Sequence, residues 1–209
     1  MSLEVEPEPA LATELFGDQI DAARKFASEL TAHGVERGLI GPVELERLWT
    51  RHLINSVLVA PLLHPGRVGD VGSGAGLPGL VLAITRPDVE FLLIEPMERR
   101  VDWLFEMVSV LGLTNVDVLR CRAEEAHPAP LLDQLTARAV SALSKLIPVS
   151  VPLVRSGGEL LFLKGARVAE EVEAAAKAIR KARLSNVEVV ILGSGQGTET
   201  TRLFRATVD

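Results

Sequence analysis

Residues 69 to 79 read GDVGSGAGLPG, five glycines in eleven positions behind a short apolar run. Glycine lets backbone N–H groups approach a ligand that a Cβ would hold away, so this stretch is a candidate cofactor cradle. A phosphate-binding P-loop would end in Gly-Lys-Ser/Thr, and no such ending occurs. Two registers remain open. Gly74-Ala-Gly76-Leu-Pro-Gly79 spells G-x-G-x-x-G, as in a dinucleotide loop. Asp70-x-Gly72-x-Gly74-x-Gly76 instead sets an acid two places before the first glycine, which suits S-adenosylmethionine.

Other residues could serve either ligand. Asp70 could brace the loop by accepting from its N–H groups, or meet an ammonium through water. Glu95 closes the apolar run FLLIE, so its carboxylate emerges at a strand tip, where it can accept both hydroxyls of a ribose. The acidic turn RCRAEEA offers Ala123 and Glu124 at the edge of an adenine ring. Arg138 lies in the apolar stretch TARAVSAL and Lys164 ends ELLFLKG. A cation so placed is uncommon without a partner or a task.

Nucleophilic and metal chemistry find little support. His33, His52, His64 and His127 are scattered without ligand spacing, and the single cysteine, Cys121, reads as a small apolar residue near a strand end. No Asn/Asp-Pro-Pro-aromatic motif follows the fourth expected strand, and no cysteine is placed for methylation at a base carbon. An acceptor that is already nucleophilic fits these absences best.

The elements that must position these groups follow from periodicity. Residues 1–9, with Pro7, Pro9 and alternating acids, read as a disordered acidic tail. Residues 10–64 read as a helical extension: an amphipathic helix from Ala10 to His33 that Gly34 can end, then a second starting at Pro42 and continuing through VELERLWTRHLINSVLVAPLL. Residues 65–209 alternate strand and helix, which predicts an open α/β sheet. Strands are expected near 67–71, 89–94, 115–119, 134–139, 158–164, 187–192 and 201–207, with helices near 78–85, 97–111, 143–154 and 168–183. The loop GSGQGTETT is too short for a helical crossover, so the last two strands should pair antiparallel. Seven strands ending in an antiparallel pair match the Rossmann-like sheet of class I methyltransferases.

Bulk properties bound the function. The 209 residues suffice for one core, with 47% hydrophobic and 24% charged content, as in ordinary globular proteins. No run approaches the roughly 18 apolar residues of a membrane span, and a cytoplasmic, monomeric protein with no membrane partner is expected. The net charge of −6 would disfavour nucleic acid, yet Glu4, Glu6, Glu8, Glu14, Asp18 and Asp21 supply all of it. The rest of the chain is neutral and free to present a basic face.

The segments LWTRHLINS (48–56), VGDVGSGAGLPGLVLAITRPD (68–88), IEPMERRVDWL (94–104), CRAEEA (121–126), ARAVSALSKL (137–146) and GGELLFLKG (157–165) occur in the order found in the bacterial GidB/RsmG family. The chain resembles that family over nearly its whole length. The resemblance implies a class I fold and methyl transfer from S-adenosylmethionine to N7 of a guanine in the decoding-region loop of 16S rRNA. The partner would be 16S rRNA or the small ribosomal subunit. It further implies cofactor contacts at Gly72, Leu77, Ala123, Glu124 and Arg138, with Glu95 at the ribose, while Gly74 and Gly76 join the cofactor set as glycines that let the loop turn beneath the ligand. Arg138, Lys164, Arg51, His52 and Asn55, with Ser56, would stand at the reacting end. A basic mouth is expected from Arg47, Arg51, Arg99, Arg138, Lys145, Lys164 and Arg167. The chain departs from the family at Asn55, where many members have aspartate, at Ala137, where serine is usual, and in a C-terminus, RATVD, without a basic tail. A small-molecule methyltransferase and a dinucleotide-dependent dehydrogenase are the rival readings.

Overall fold

A computed structural model describes residues 4–195 and 199–209. The apolar runs that alternate with amphipathic stretches form β1 (Arg67–Val71), β2 (Glu90–Ile94), β3 (Val116–Leu119), β4 (Leu132–Arg138), β5 (Val154–Lys164), β6 (Leu184–Leu192) and β7 (Thr201–Val208). They make one sheet in the order β3-β2-β1-β4-β5-β7-β6, with β1 to β5 parallel and β7 antiparallel to both its neighbours. The strand order reverses beside β1, between β2 and β4, and in open α/β sheets that is where a crevice opens past the strand ends.

The helices are α1 (Ala10–Phe16), α2 (Ile20–His33), α3 (Asn55–Val57), α4 (Gly79–Thr85), α5 (Glu98–Leu111), α6 (Leu143–Ser150), α7 (Val168–Ala174) and α8 (Ala176–Lys181). One face of the sheet carries α1, α2, the 42–63 turns, α4 and α5 around Phe26, Leu30, Leu53, Leu80 and Trp103. The other carries α6 to α8 around Leu132, Ile147, Phe162 and Phe204. Phe162 and Phe204 are register partners on β5 and β7, and their rings stack at 5.9 Å.

Several expected elements differ. The helix over 10–33 is interrupted at Gly17, whose φ of 51° is left-handed. The helix over 143–154 turns 3₁₀ at Val151–Leu153, and that over 168–183 breaks at Ala175. The largest departure is the second N-terminal helix. Pro42–Arg47 is 3₁₀, Leu48–Ile54 is π-helical, α3 is a single turn and Ala60–Leu62 is again 3₁₀. Residues 4–9, expected within a disordered tail, carry no regular secondary structure and contact the helical layer through Glu6 and Glu8. The Glu6 N–H donates to the Leu45 carbonyl at 2.9 Å, the Glu6 carboxylate receives the Thr50 N–H at 2.9 Å, and Glu8 binds Arg24 at 2.8 Å. Residues 1–3 of that expectation lie outside the described residues. No helix among the described residues is long and apolar enough to cross a membrane.

Candidate active site

The sheet register assembles the site. Val71 is aligned with Ile94 on one side and Ala137 on the other, so Gly72, Glu95 and Arg138 are the next residues on three adjacent strand paths. On β5, Leu163 pairs with Arg138, and Lys164 follows one step beyond.

The glycine loop is braced from beneath. Asp70 is fully buried; one carboxylate oxygen accepts the Gly79 N–H at 3.2 Å, and the other accepts the Thr136 hydroxyl at 2.9 Å from its register partner on β4. Burial, outweighing these bonds, pushes its carboxyl up to about 7. Bracing is thus the role its contacts show. The buried Trp103 on α5 donates its indole N–H to the Ala75 carbonyl at 3.0 Å, tying the loop to the helical layer. Glu95 is 2% exposed, and its two oxygens accept the Gly74 and Met97 N–H groups at 3.0 Å each. Gly72, Gly74 and Gly76 all have positive φ (69°, 54° and 95°). At Gly72 a Cβ would also meet Val140 Cγ2 at 2.7 Å, so the position is closed to a side chain twice over.

Three cavities open along this row. One of about 460 Å³ is lined by Gly72, Glu95, Met97, Arg100, Ala123 and Glu124. A second, of about 360 Å³, is lined by Glu44, Arg51, His52, Gly74, Leu77 and Arg138, and shares Gly72 and Arg100 with the first. The third, of about 500 Å³, is lined by Arg51, Asn55, Arg138, Lys164, Glu199 and Arg202. Ala139 borders all three, and its own φ of 56°, unusual outside glycine, turns the chain sharply just after Arg138.

Arg138 and His52 meet where the second and third cavities join. An Arg138 guanidinium N–H donates to His52 Nδ1, and another lies 3.5 Å from the His52 carbonyl. His52 Nε2 is 2.7 Å from the Glu44 carboxylate, and the same oxygen lies 3.1 Å from Arg51 Nε. His52 is 5% exposed; burial first and the Arg138 charge second hold it down at about 4 against the pull of Glu44, so the imidazole is neutral near pH 7. Burial and then Arg51 lower Arg138 to about 10, which leaves it charged.

The sequence-derived residues thus divide. Gly72, Gly74, Leu77, Glu95, Ala123, Glu124, Arg138, Arg51, His52, Asn55 and Lys164 border the connected cavities, or brace the loop that does. Gly76 borders none of the three; it makes the turn against Leu80. Lys164 is held by the Ser141 carbonyl at 2.7 Å and the Glu171 carboxylate at 2.9 Å, and Ser56 donates to the His52 carbonyl at 2.6 Å. Sequence reasoning missed Glu44, Arg100 and Arg202. Arg100 had a signal: it stands in the first turn of the helix that follows Glu95. Cys121 packs half-buried on the second core, as a small apolar residue would.

The family model for GidB, described as rRNA small subunit methyltransferase G, matches residues 19–200. The chain belongs to the GidB family. A ribosomal RNA small subunit methyltransferase G from Clavibacter michiganensis subsp. michiganensis (strain NCPPB 382) is 65% identical over 204 residues, covering 98% of this chain and 97% of that one. Its counterpart from Leifsonia xyli subsp. xyli (strain CTCB07) is 61% identical over 208 residues, covering 100% of each. Among solved structures, the N-methyltransferase NodS from Bradyrhizobium japonicum WM9, in complex with S-adenosyl-L-homocysteine, superposes with a TM-score of 0.59 at 19% identity, covering 84% of this chain and 96% of that one. Aeropyrum pernix fibrillarin, with natively bound S-adenosyl-L-methionine, gives 0.56 at 17% identity over 74% of each. Both likenesses are of fold. In this GidB chain the connected cavities lie where the fold predicts a ligand crevice, past the carboxyl ends of β1, β2 and β4.

Proposed function

We propose that this GidB chain transfers a methyl group from S-adenosylmethionine to N7 of a guanine in the decoding-region loop of 16S rRNA. Family membership makes it a methyltransferase of small-subunit rRNA that uses S-adenosylmethionine. The observation that carries the finer reading is the row of adjoining cavities, sharing lining residues, that leads from the Glu95 carboxylate to Arg138 and ends in a pocket bordered by Arg51, Arg138 and Arg202.

The residues present fit the cofactor. Met97 and Val140, 41% and 43% exposed, are apolar walls of the first cavity, beside Ala123, and suit an adenine ring. Glu95, already fixed by two N–H groups, suits a ribose diol. Arg100 Nε is buried without a hydrogen-bond partner, on a side chain that borders both cofactor cavities, and suits a carboxylate. When bound, S-adenosylmethionine supplies a methyl group on a positively charged sulfur.

The protonation states at the junction support this acceptor. Guanine N7 has an in-plane lone pair and no proton, so its attack needs no general base. Among the described residues, the nitrogen groups nearest the junction are already engaged. His52 is bonded at both ring nitrogens, Arg138 is charged and Lys164 is paired with Glu171. What the chain supplies is alignment, and well-oriented groups gain effective molarities of roughly 10⁵–10⁸ M. Arg138 orients guanine or cofactor through hydrogen bonds, with Arg51 and Asn55 at the mouth.

The basic mouth is smaller than the sequence suggests. Arg47 is paired with Glu199, Arg51 with Glu44 and Lys164 with Glu171, while Arg99 lies against Gly38. Lys145 and Arg202 border two of these cavities, and Arg167 borders a neighbouring one of about 720 Å³ that shares Ala139 and Glu171 with the third; these three are our choice for backbone phosphates. Mass mapping of modified nucleosides in rRNA from cells lacking the gene tests the reading. Loss of one 7-methylguanosine from 16S rRNA, restored by the gene, is expected; an unchanged inventory would overturn it.

A further inference from the structure

Glu44 belongs to none of the segments that carry the family resemblance, yet its carboxylate oxygen contacts both His52 and Arg51. We propose that Glu44 is a positioning residue for the transfer: it selects the His52 tautomer that receives Arg138, and so fixes the guanidinium where the cofactor cavities meet the cationic pocket. The proposal rests on the function proposed above.

The direction of the chain is forced by its chemistry. A carboxylate only accepts and a guanidinium only donates, so the imidazole between them must donate at one nitrogen and accept at the other. Glu44 lies 2.7 Å from Nε2, which places the proton there and leaves the Nδ1 lone pair facing Arg138. The opposite tautomer would turn an N–H toward a guanidinium N–H at Nδ1 and leave Nε2 and the carboxylate as two facing acceptors. A doubly protonated ring would likewise oppose Arg138, in keeping with the low pKa of His52. Only the Glu44-directed tautomer satisfies all three groups.

Arg138 needs such an anchor. It is the last residue of β4, and the left-handed Ala139 turns the chain away directly after it. Its contacts to His52 are therefore what aim it across the junction. Glu44 itself sits on the rim, with a side chain 30% exposed in a short 3₁₀ segment, so its replacement opens no core cavity.

The test uses the full-length protein as wild type, Glu44→Gln, Glu44→Asp and Glu44→Ala. Gln keeps an acceptor oxygen at the same reach without charge; Asp keeps the charge but is one methylene short. Two quantities are read: the ¹⁵N shifts of the His52 ring at pH 7, and single-turnover methylation of small ribosomal subunits at saturating S-adenosylmethionine. Wild type and Glu44→Gln are expected to show the Nε2–H tautomer, with Gln recovering most of the rate. Glu44→Asp and Glu44→Ala should show mixed tautomers and a rate lowered roughly ten- to a hundredfold, with affinity for S-adenosylhomocysteine little changed. If Asp preserves the rate and Gln does not, charge rather than the directed bond is at work and the proposal falls. It falls too if all three variants keep the wild-type rate, or if they lose it while His52 keeps the proton on Nε2. Failure of the wild type to methylate rRNA would refute the functional reading instead, because the His52 spectrum is decided on the protein alone.

Discussion

The buried Asp70 makes stability depend on pH in a direction opposite to that of most acids in folded proteins. Its carboxyl titrates at about 7 in the native state and, once unfolded, at the ordinary 3.8. Between those values the native protein holds a proton that the unfolded chain has released, so stability falls as pH rises and the full penalty is present above pH 7. A gap of about 3 units at 1.36 kcal/mol each gives about 4 kcal/mol in all, of which about 2.6 kcal/mol develops between pH 5 and 8. The structure accommodates the proton: the Thr136 hydroxyl, 2.9 Å from Asp70, also lies 3.1 Å from the Gly69 carbonyl. A protonated Asp70 donates to Thr136, which then donates to Gly69. The Asp70→Asn variant can copy that arrangement, its carboxamide oxygen accepting the Gly79 N–H and its NH₂ donating to Thr136.

The assay is urea unfolding of wild type and Asp70→Asn at pH 5, 6, 7 and 8, without cofactor. The other titrating groups are common to both proteins and cancel in the difference. Wild type is expected to lose about 2–3 kcal/mol relative to the variant over that range, or roughly 5–10 °C in Tm. Parallel stability curves, or a wild type that gains relative to the variant as pH rises, would refute the assignment of a neutral buried carboxyl.

Other consequences are open to measurement. Gly72→Ala meets both the φ of 69° and the Val140 contact, so calorimetry should show affinity for S-adenosylhomocysteine falling about tenfold or more, for a cost of about 1–3 kcal/mol. Adding Val140→Ala should recover only the part due to the steric clash. Trp103→Phe orphans the Ala75 carbonyl and should destabilise the fold by about 1–3 kcal/mol in denaturant titrations. Charge reversal of Lys145, Arg167 and Arg202 together should weaken RNA binding and flatten its salt dependence by roughly 0.7–0.9 in log–log slope for each phosphate no longer neutralised. An unchanged slope would remove those residues from the interface.

The strand tips were legible because one periodicity governs them. Buried parallel strands read as apolar runs, and the first residue past each run, Gly72, Glu95 or Arg138, inherits a place in the row from register alone. The 42–63 segment was not legible, because its apolar residues point in too many directions to fix one helical face. Read as a single α-helix, it would set Glu44 and His52 about 12 Å apart along the axis, eight residues at 1.5 Å each. The observed 2.7 Å contact exists because the 3₁₀ turn gives way to a π-helix at Arg47–Leu48. Lys164 shows a further limit. Its place on β5 could be read, whereas the Glu171 that engages it comes from a helix whose packing angle no local pattern encodes. Nor could the prolines and acids of residues 4–9 reveal that Arg24 would donate to Glu8 and the Thr50 N–H to Glu6.

The sheet keeps its two apolar layers apart, one holding Ala75 and Leu77 of the glycine loop, the other Val71, Ile94 and Ala123. A molecule lying over the strand tips would rest on both at once, like a clasp closing two halves of a case. Its binding energy would then be felt by amides on either side. Slower hydrogen exchange is expected in α5 and in α6 alike, amounting to about 2.7 kcal/mol in globally exchanging amides at a hundredfold excess over Kd. The crevice would in this way be the place where two separately packed layers become one cooperative unit.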